Sequence, residues 1–416
     1  MSIWNRMITL CFWGAGALAV YLSSYIVTLH LNPKEAGYFF LLQTIIVTVG
    51  MLSSLGLNSF MPKLIGESIT PSGVSDKVRM VILIAFINGI VFSLIAILLI
   101  NFLRIISVDL NLSIKICICI VSHSLLVILS SVFQSVRKAN LSVLYLSIIQ
   151  QALFCILFLI YFTSDYHAAI NILLVSYLCS VAFCVTHLCL STPSLFNQFF
   201  LNDISIKTFF SILKLVPHFL TIMLLSISIN QMPLIISSRL MEISDVAAFQ
   251  VAIKLSSLVA IVITAVNTIV APIFASFNIN CQYEELKKLY VKSTLFIITL
   301  TLPVIILFFI YSKFFMGLFG DIYEEHHSIL EILLIGQLFN VITGPLACLF
   351  TMIGKYRVVI NSNVLNVFFV FLGYILSSLF TAPTVFVFSI SLGIAASNIL
   401  MFFVFLRKVF FIKAAK

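Results

Sequence analysis

Long apolar runs separated by short polar connections extend along the whole chain and predict its secondary structure. A helix needs about 20 apolar residues to cross the hydrocarbon core of a membrane. The runs are too long for transmembrane strands, and their side chains do not alternate in polarity. We therefore expect an all-α polytopic membrane protein with 12 transmembrane helices, at roughly residues 8–29, 36–60, 80–102, 112–134, 141–162, 168–190, 212–237, 246–274, 293–312, 328–350, 357–379 and 383–406.

The composition supports a lipid environment. Of the 416 residues, 62% are hydrophobic and only 9% are charged, whereas a soluble domain carries about 25% charged residues. This composition excludes a soluble enzyme and a nucleic-acid-binding protein, so we interpret the net charge of +9 as basic cytoplasmic loops. The nine cysteines show no CxxC and no zinc-ligand spacing, and we interpret them as small apolar core residues.

The distribution of Lys and Arg predicts the orientation of the helices. With the N-terminus in the cytoplasm, 17 basic residues fall on the cytoplasmic side, five fall on the opposite side, and Lys254 lies inside a predicted span. The five are Lys34, Arg104, Lys115, Arg239 and Lys313. Because basic loops stay in the cytoplasm, both termini are expected there. The first apolar run is long enough to span and lacks a clear cleavage site, so it is expected to be a helix rather than a signal peptide.

The two halves of the chain resemble each other in order and spacing. At an offset of 210, residues 34–39 lie opposite residues 244–249, and Pro62 lies opposite Pro272. Further along the offset is 217, which places Lys138 opposite Lys355. The seven extra residues fit the acidic segment around residues 321–327.

This repeat predicts two lobes of six helices each, at residues 1–206 and 207–416. An even number of spans per lobe gives both lobes the same topology, related by a pseudo-two-fold axis along the membrane normal. Two such lobes enclose a central cavity, and rocking one lobe against the other gives alternating access. Transporters have this architecture more often than membrane enzymes.

The predicted eighth helix carries one polar stripe that includes a lysine. Gln250, Lys254, Ser257 and Thr264 fall within about 80° of one another at 100° per residue. An unpaired lysine in mid-membrane costs roughly 2.5–3.5 kcal/mol, so we expect Lys254 to face the cavity and contact an anion. The alternative is a structural lysine that bonds to carbonyl groups or reaches an interface.

Helices 2, 4, 7 and 10 supply further candidates. Lys214 and His218 share a stripe on helix 7, which Pro217 and Pro233 interrupt, and Arg239 follows at its outer end. Gln43 lies on helix 2, and Asn340 on helix 10 is the repeat counterpart of His123 on helix 4. For both histidines, protonation or a cavity role competes with a packing or interfacial role.

Acidic residues are placed differently. All 14 Asp and Glu residues lie in loops or at the ends of predicted spans. A proton relay or sodium site of the usual acidic kind therefore lacks a residue, which leaves His123 and His218 as candidates for protonation. The acidic and histidine-containing segment at residues 321–331 is interpreted as a solvated outer loop, so no metal and no cofactor are expected. The sequence has no DxxxD, GxSxG, P-loop or HExxH motif.

Two stretches resemble a known family. Residues 32–43 (NPKEAGYFFLLQ), followed by residues 52–57 (LSSLGL), resemble the first two helices of O-antigen flippases. Residues 248–251 (AFQV) and the twelve-span length fit as well. These flippases are the polysaccharide transporters of the multidrug/oligosaccharidyl-lipid/polysaccharide exporter superfamily.

The resemblance implies a function and its partners. The fold would be two-lobed with a central cationic cavity. It would move an undecaprenyl-pyrophosphate-linked oligosaccharide from the cytoplasmic to the periplasmic leaflet of the bacterial inner membrane. An O-antigen polymerase and a chain-length regulator would be partners within the lipid bilayer. From the polar residues of the spans we hypothesise that Lys254 holds the pyrophosphate, with Lys214 and Arg239 near the cavity mouths. The residues expected to bond the sugar are Gln250, Ser257, Thr264, Gln43 and Asn340.

Three other interpretations stay open at this point. A cation-coupled drug exporter of the same superfamily should have cavity carboxylates, and none is found here. An O-antigen polymerase or ligase should have a large outer loop, whereas the longest one here is about 15 residues. A membrane scaffold has no need of Lys254.

Overall fold

The computed structural model describes residues 3–58, 61, 71–102, 106, 108–135, 138–191, 212 and 216–412. This part of the chain is helical, with short connections and no strand among the described residues. It divides into two compact units, Met1–Ile227 and Ser228–Lys416. The predicted boundary between residues 206 and 207 lies outside the described residues and stays a prediction.

The helices of the first unit follow one another with short turns. They are α1 (Ile3–His30), α2 (Pro33–Ser53), α3 (Pro71–Phe102), α4 (Leu110–Ser135), α5 (Ala139–Val143), a π-helical segment (Leu144–Ile149), α6 (Gln150–Tyr161), α7 (Tyr166–Ser191) and the greater part of α8 (Val216–Asn230). Helix α4 packs against α2, α3 and α7, so it forms the centre of this unit.

The second unit repeats this order with additional short helices. Its elements are α9 (Met232–Ser237), α10 (Ile243–Ile279), α11 (Tyr283–Ile310), α12 (Ser312–Gly317), α13 (Asp321–Glu325), α14 (His327–Thr343), α15 (Leu346–Met352), α16 (Tyr356–Phe380) and α17 (Pro383–Ile412). Helix α14 packs against α10, α11 and α17, as α4 packs against its neighbours in the first unit.

The helix starts confirm the internal repeat. Helix α2 begins at Pro33 and α10 at Ile243, which is the offset of 210. Helices α4, α5 and α7 begin at residues 110, 139 and 166, while α14, α16 and α17 begin at 327, 356 and 383, each at the offset of 217. The change of offset occurs where α12 and α13 stand in the second unit. The segment at residues 321–331 was expected to be a loop, but it forms the short helix α13 and the first turn of α14.

The predicted spans correspond to helices with three corrections. Among the described residues, nine helices are long and apolar enough to cross a membrane, and α14 with α15 forms a tenth span bent by 46°. Within the span predicted at 212–237 the described residues form two helices, α8 and α9, and Pro233 lies in the first turn of α9. The span predicted at 141–162 contains the π-helical segment, in which backbone amides bond carbonyls five residues back instead of four.

Local sequence explains how the second helix begins. The Asn32 side chain accepts a hydrogen bond of 2.9 Å from the Glu35 amide, and Pro33 occupies the first turn. An N-cap side chain satisfies an amide that the helix leaves unbonded, and proline there has no amide to satisfy. The stretch that resembles the flippase family is thus also a strong helix-start signal.

Large apolar side chains remain exposed along most spans. Leu98 and Phe102 on α3 are 69% and 82% exposed, and Leu379 on α16 is 72% exposed. Contiguous apolar surface of this extent is unfavourable in water and suits contact with lipid tails. This surface determines which face each helix turns outward, because apolar residues face lipid and small polar residues pack inside. Among the buried polar residues are Ser124, Ser176 and Ser362.

Candidate functional site

Helix α10 has a buried apolar face and a polar face on opposite sides. Ala252, Leu255, Val259 and Ile263 are almost fully buried, and they share one stripe at 100° per residue. Gln250, Lys254, Ser257 and Thr264 are centred about 180° away from that stripe. The polar stripe therefore faces away from the core of its own unit, and we call these four residues the α10 stripe.

Lys254 lies near the middle of the membrane-spanning part of α10. It is eleven residues from Ile243, which is about 16 Å along the axis, and its side chain is half-buried. Ser257 and Thr264 are exposed, and their hydroxyls donate to the carbonyls of Lys254 and Ala260 at 2.8 and 3.1 Å. Each hydroxyl oxygen keeps its capacity to accept a bond from a substrate.

Asn340 lies just before the break between α14 and α15. Its amide donates to the Gln337 side chain at 3.2 Å, and both side chains are half-buried. The helix ends at Gly344, whose φ of 62° and ψ of −141° suit glycine only, and Pro345 follows. A Cβ at residue 344 would lie 2.5 Å from the Thr294 hydroxyl oxygen. The break is therefore encoded by glycine and proline.

Neighbouring helices hold the break in place. The Tyr290 hydroxyl donates to the Thr343 carbonyl at 2.9 Å, and the Thr343 hydroxyl bonds the Asn398 side chain at 3.0 Å. Membrane helices tolerate a break when nearby side chains satisfy the freed backbone groups. Within the second unit the structure thus places Asn340 beside a broken span, which is a common site for ligands in transporters.

The predicted residues on α2 and α4 are buried. Gln43 and Thr44 on α2 are 9% and 5% exposed. His123 on α4 is 7% exposed, and its ring lies edge-on to Tyr177 with 5.5 Å between ring centres. The sequence did not reveal that a Cβ at Gly50 would lie 2.7 Å from the His123 ring.

The positions of the three remaining candidates relative to the α10 stripe stay predictions. Lys214 lies outside the described residues, and so does the side chain of His218, which belongs to the first turns of α8. Arg239 is exposed in the turn after α9. Roles of these residues in binding stay predictions.

The residues that carry the family resemblance have structural partners. Glu35 accepts a hydrogen bond of 3.0 Å from the Tyr166 amide, which joins the starts of α2 and α7. In the second unit the repeat counterpart Asp245 lies 3.1 Å from His326 Nε2, which joins the start of α10 to the turn after α13. Each of these acidic residues therefore joins the start of its helix to a neighbouring element of the same unit.

A cavity that sequence reasoning missed lies between α6 and α7. Its volume is about 530 Å³, and Leu157, Phe162, Thr163, Asn171 and Val175 are among its lining residues. No sequence-predicted site residue lines it. Most of its lining residues are apolar, and the side chains of Tyr161 and Phe162 at its edge are exposed.

The acidic segment of the second unit holds no metal-binding cluster within the described part of the chain. The Ser312 hydroxyl donates to Glu331 at 2.6 Å, and His327 lies 3.8 Å from the same carboxylate oxygen. Burial raises the pKa of the Tyr323 phenol. The Ser312–Glu331 bond joins α12 to α14, and His327 Nδ1 at the start of α14 lies 3.1 Å from the Glu324 carbonyl of α13.

Comparisons with known proteins agree on the fold. The MatE family model matches residues 222–376. A multidrug resistance MATE family transporter of the MOP superfamily, in an inward-facing conformation, has a TM-score of 0.70 at 15% identity over 98% of this chain and 99% of its own. No protein of curated function matches the sequence significantly.

Two further solved structures are similar. A mutant of the Vibrio cholerae MATE transporter VcmN has a TM-score of 0.66 at 14% identity, covering 97% of this chain and 96% of its own. A MOP superfamily transporter from Pyrococcus furiosus has a TM-score of 0.63 at 15% identity, covering 96% and 93%. For that transporter, the reverse polarity of the binding pocket suggests a different function. The chain described here therefore has the fold of MATE transporters.

Proposed function

We propose that this protein is a MATE-type membrane transporter and that its substrate is an anionic amphiphile recognised by the α10 stripe. The observation that carries the proposal is the position of Lys254, at mid-membrane depth and on the face of α10 opposite its buried stripe. A lysine that faced lipid at this depth would cost roughly 2.5–3.5 kcal/mol. A polar substrate pathway beside the α10 stripe would lower this cost.

The sign of the charge favours an anionic substrate. The polar groups on the stripe are one ammonium group, one amide and two hydroxyls, with no carboxylate. A lysine binds phosphate as a compact charge on a flexible stem, which permits both capture and release. The reverse pocket polarity of the Pyrococcus furiosus transporter is a precedent for an unusual charge in this fold.

We propose specifically that the substrate is an undecaprenyl-pyrophosphate-linked oligosaccharide, moved from the cytoplasmic to the periplasmic leaflet of the bacterial inner membrane. Both termini would lie in the cytoplasm. Lys254 would hold the pyrophosphate, and the amides of Gln250 and Asn340 would bond sugar hydroxyls. The polyprenyl tail would stay in lipid. An O-antigen polymerase and a chain-length regulator would take the product onward.

A drug exporter is the second candidate, and the comparisons support it more directly. Several of the similar structures are MATE transporters, and one of them is a multidrug resistance transporter. For this chain, drugs with an anionic group would fit Lys254 better than cationic drugs, because like charges repel in a low-dielectric site.

One genetic experiment separates these candidates. The gene is deleted in its native host, the O-antigen ladder is examined on a lipopolysaccharide gel, and lipid-linked repeat units are assayed. The flippase proposal expects loss of the ladder and accumulation of the complete lipid-linked unit. An intact ladder in a host without a second flippase, together with increased drug susceptibility, would establish the exporter instead.

Complementation then tests the role of Lys254. Lys254→Ala should fail to restore the ladder at normal protein level, whereas Lys254→Arg should restore part of it because the charge is retained. Lys288→Ala is the matched control, since Lys288 is an exposed lysine of the same unit that pairs with Glu285 at 2.7 Å. Full complementation by Lys254→Ala would refute the proposed anion site.

A further inference from the structure

His123 stands apart from the other histidines whose ring bonds are described. His30 bonds the Ile26 carbonyl at 2.9 Å, His187 bonds the Tyr145 hydroxyl at 2.9 Å, and His326 bonds the Ile322 carbonyl at 2.9 Å. Neither ring nitrogen of His123 has a hydrogen-bond partner among the described residues, although both are buried. A buried donor or acceptor without a partner costs about 1–3 kcal/mol.

A purely structural role does not explain this arrangement. An apolar side chain of similar volume would fill the same space without an unsatisfied nitrogen. The ring is instead held closely, by the edge contact with Tyr177 and by the α2 backbone, where Gly50 leaves room for it. The chain thus maintains an imidazole in an unfavourable place, which is typical of functional groups in membrane spans.

The surroundings of His123 lack fixed charge. On α2, residues 39–53 include no titratable side chain, and neither do residues 81–102 of α3. Tyr177 faces the ring from α7, and on α4 itself Cys119 lies one turn away and Lys115 two turns away. No described carboxylate of the first unit faces the ring to stabilise an imidazolium, so a charged His123 conflicts with this packing.

We propose that His123 is the binding site for a coupling proton, which the imidazole accepts only when α2, α4 and α7 separate and admit water. The proposal rests on the transporter function proposed above. One N–H bond forms when the ring takes a proton from water on one side of the membrane, and it breaks when the proton leaves on the other side. Repacking of the three helices then requires the neutral ring, and this requirement links proton movement to the transport cycle.

The first experiment uses the wild-type protein and needs no substrate. The full chain in lipid nanodiscs, labelled with ¹⁵N in its seven histidines, is titrated from about pH 9 to pH 5 by NMR, a range in which imidazoles titrate. Loss of one signal in His123→Gln identifies His123. We expect its protonation to coincide with faster hydrogen exchange in α2 and α4. A ring that stays neutral throughout, or that charges without faster exchange, would overturn the proposal.

The second experiment measures coupling in proteoliposomes. A fluorescent undecaprenyl-pyrophosphate oligosaccharide is the probe, and its translocation is compared with and without a pH gradient. His123→Gln should reduce the stimulation by the gradient at least tenfold while keeping translocation down the gradient of the probe. His187→Gln is the matched control, because His187 lies in α7 and bonds Tyr145. Undiminished stimulation in His123→Gln would contradict a proton site.

The two proposals fail separately. If the wild type does not translocate this probe, the substrate assignment is wrong, while the NMR and exchange data on His123 still decide the proton site. If His123→Gln does not fold, the exchange experiment on the wild type stands, with the isolated His123 signal assigned from His123→Asn. Equal pH dependence of exchange in wild type and variant would refute the proposal.

Discussion

The two units have the same order of helices but differ at the positions that carry chemistry. Thr44 on α2 corresponds to Lys254 on α10, and His123 on α4 corresponds to Asn340 on α14. Helix α4 is continuous, while its counterpart breaks at Gly344. Gene duplication followed by divergence would give this result, since shared packing positions keep the fold and the remaining positions are free to acquire separate functions. The two proposals made above assign an anion site to the second unit and a proton site to the first.

The largest expected effect is on the break in the second unit. Gly344→Ala should lower the free energy of unfolding by about 2–5 kcal/mol, because the new Cβ requires a strained backbone and meets Thr294. Gly354→Ala is the control, since Gly354 also has a positive φ but no atom lies within 4 Å of its added Cβ. We expect Gly354→Ala to lower the free energy of unfolding by about 1–2 kcal/mol. Unfolding in detergent measures both, and equal losses would contradict the steric argument.

The next effect concerns the lysine that distinguishes the units. Lys254→Thr gives α10 the residue that α2 has, and it should weaken binding of undecaprenyl pyrophosphate by about 10- to 150-fold, the equivalent of about 1.5–3 kcal/mol for a charge-assisted bond. Binding to purified protein in nanodiscs measures the change. Lys288→Thr should bind as the wild type does, and a normal affinity in Lys254→Thr would show that the anion binds elsewhere.

A third effect tests the space around His123. Gly50→Ala should destabilise the protein by about 1–3 kcal/mol, because the Cβ would lie 2.7 Å from the ring. His123→Asn, which copies the residue of the second unit, should relieve most of that cost in the double variant. The second unit has Ala260 opposite Gly50, in agreement with the smaller asparagine there. A double-mutant cycle of unfolding measures the coupling, and additive losses would argue against the contact.

The smallest effect is expected at the helix ends. Asp245→Asn should cost at most about 1 kcal/mol, because Asp245 and His326 are 35% and 26% exposed and exposed ion pairs contribute little. Thermal unfolding at low and high salt measures the difference, which should shrink as salt increases. A loss that is large and independent of salt would show that this pair does more than join α10 to α13.

Much of the architecture was predictable because lipid restricts the possible structures. Each span must satisfy its own backbone hydrogen bonds, so a long apolar run gives a helix almost irrespective of its neighbours. Pro33, Ile243 and Pro383 begin their helices where apolar runs and turn signals predicted a start to within a few residues. The repeat was also readable, since duplicated helices keep their spacing. The π-helical segment at residues 144–149 was not readable from the sequence, because hydrophobicity does not reveal which carbonyl each backbone amide bonds.

The candidate site was only partly readable from the sequence. Helical periodicity alone placed Gln250, Lys254, Ser257 and Thr264 on one stripe, since 100° per residue is a property of any helix. It did not show that this stripe lies opposite the buried face, which depends on how α10 packs against α11 and α14. The interruptions at Pro233 and Gly344 follow from local sequence, whereas the bonds from Tyr290 and Asn398 that hold the second break come from neighbouring helices.

The sequence by itself therefore determined the helical class, the repeat, the order of the helices and the stripe on α10. All of these depend on local periodicity and on the cost of polar groups in lipid. Only the tertiary structure decided that His123 is enclosed against Gly50 and Tyr177 with no partner for its ring nitrogens among the described residues. Whether a buried polar group finds a hydrogen-bond partner depends on residues from other helices. The amino-acid sequence alone does not specify which of these residues come within bonding distance.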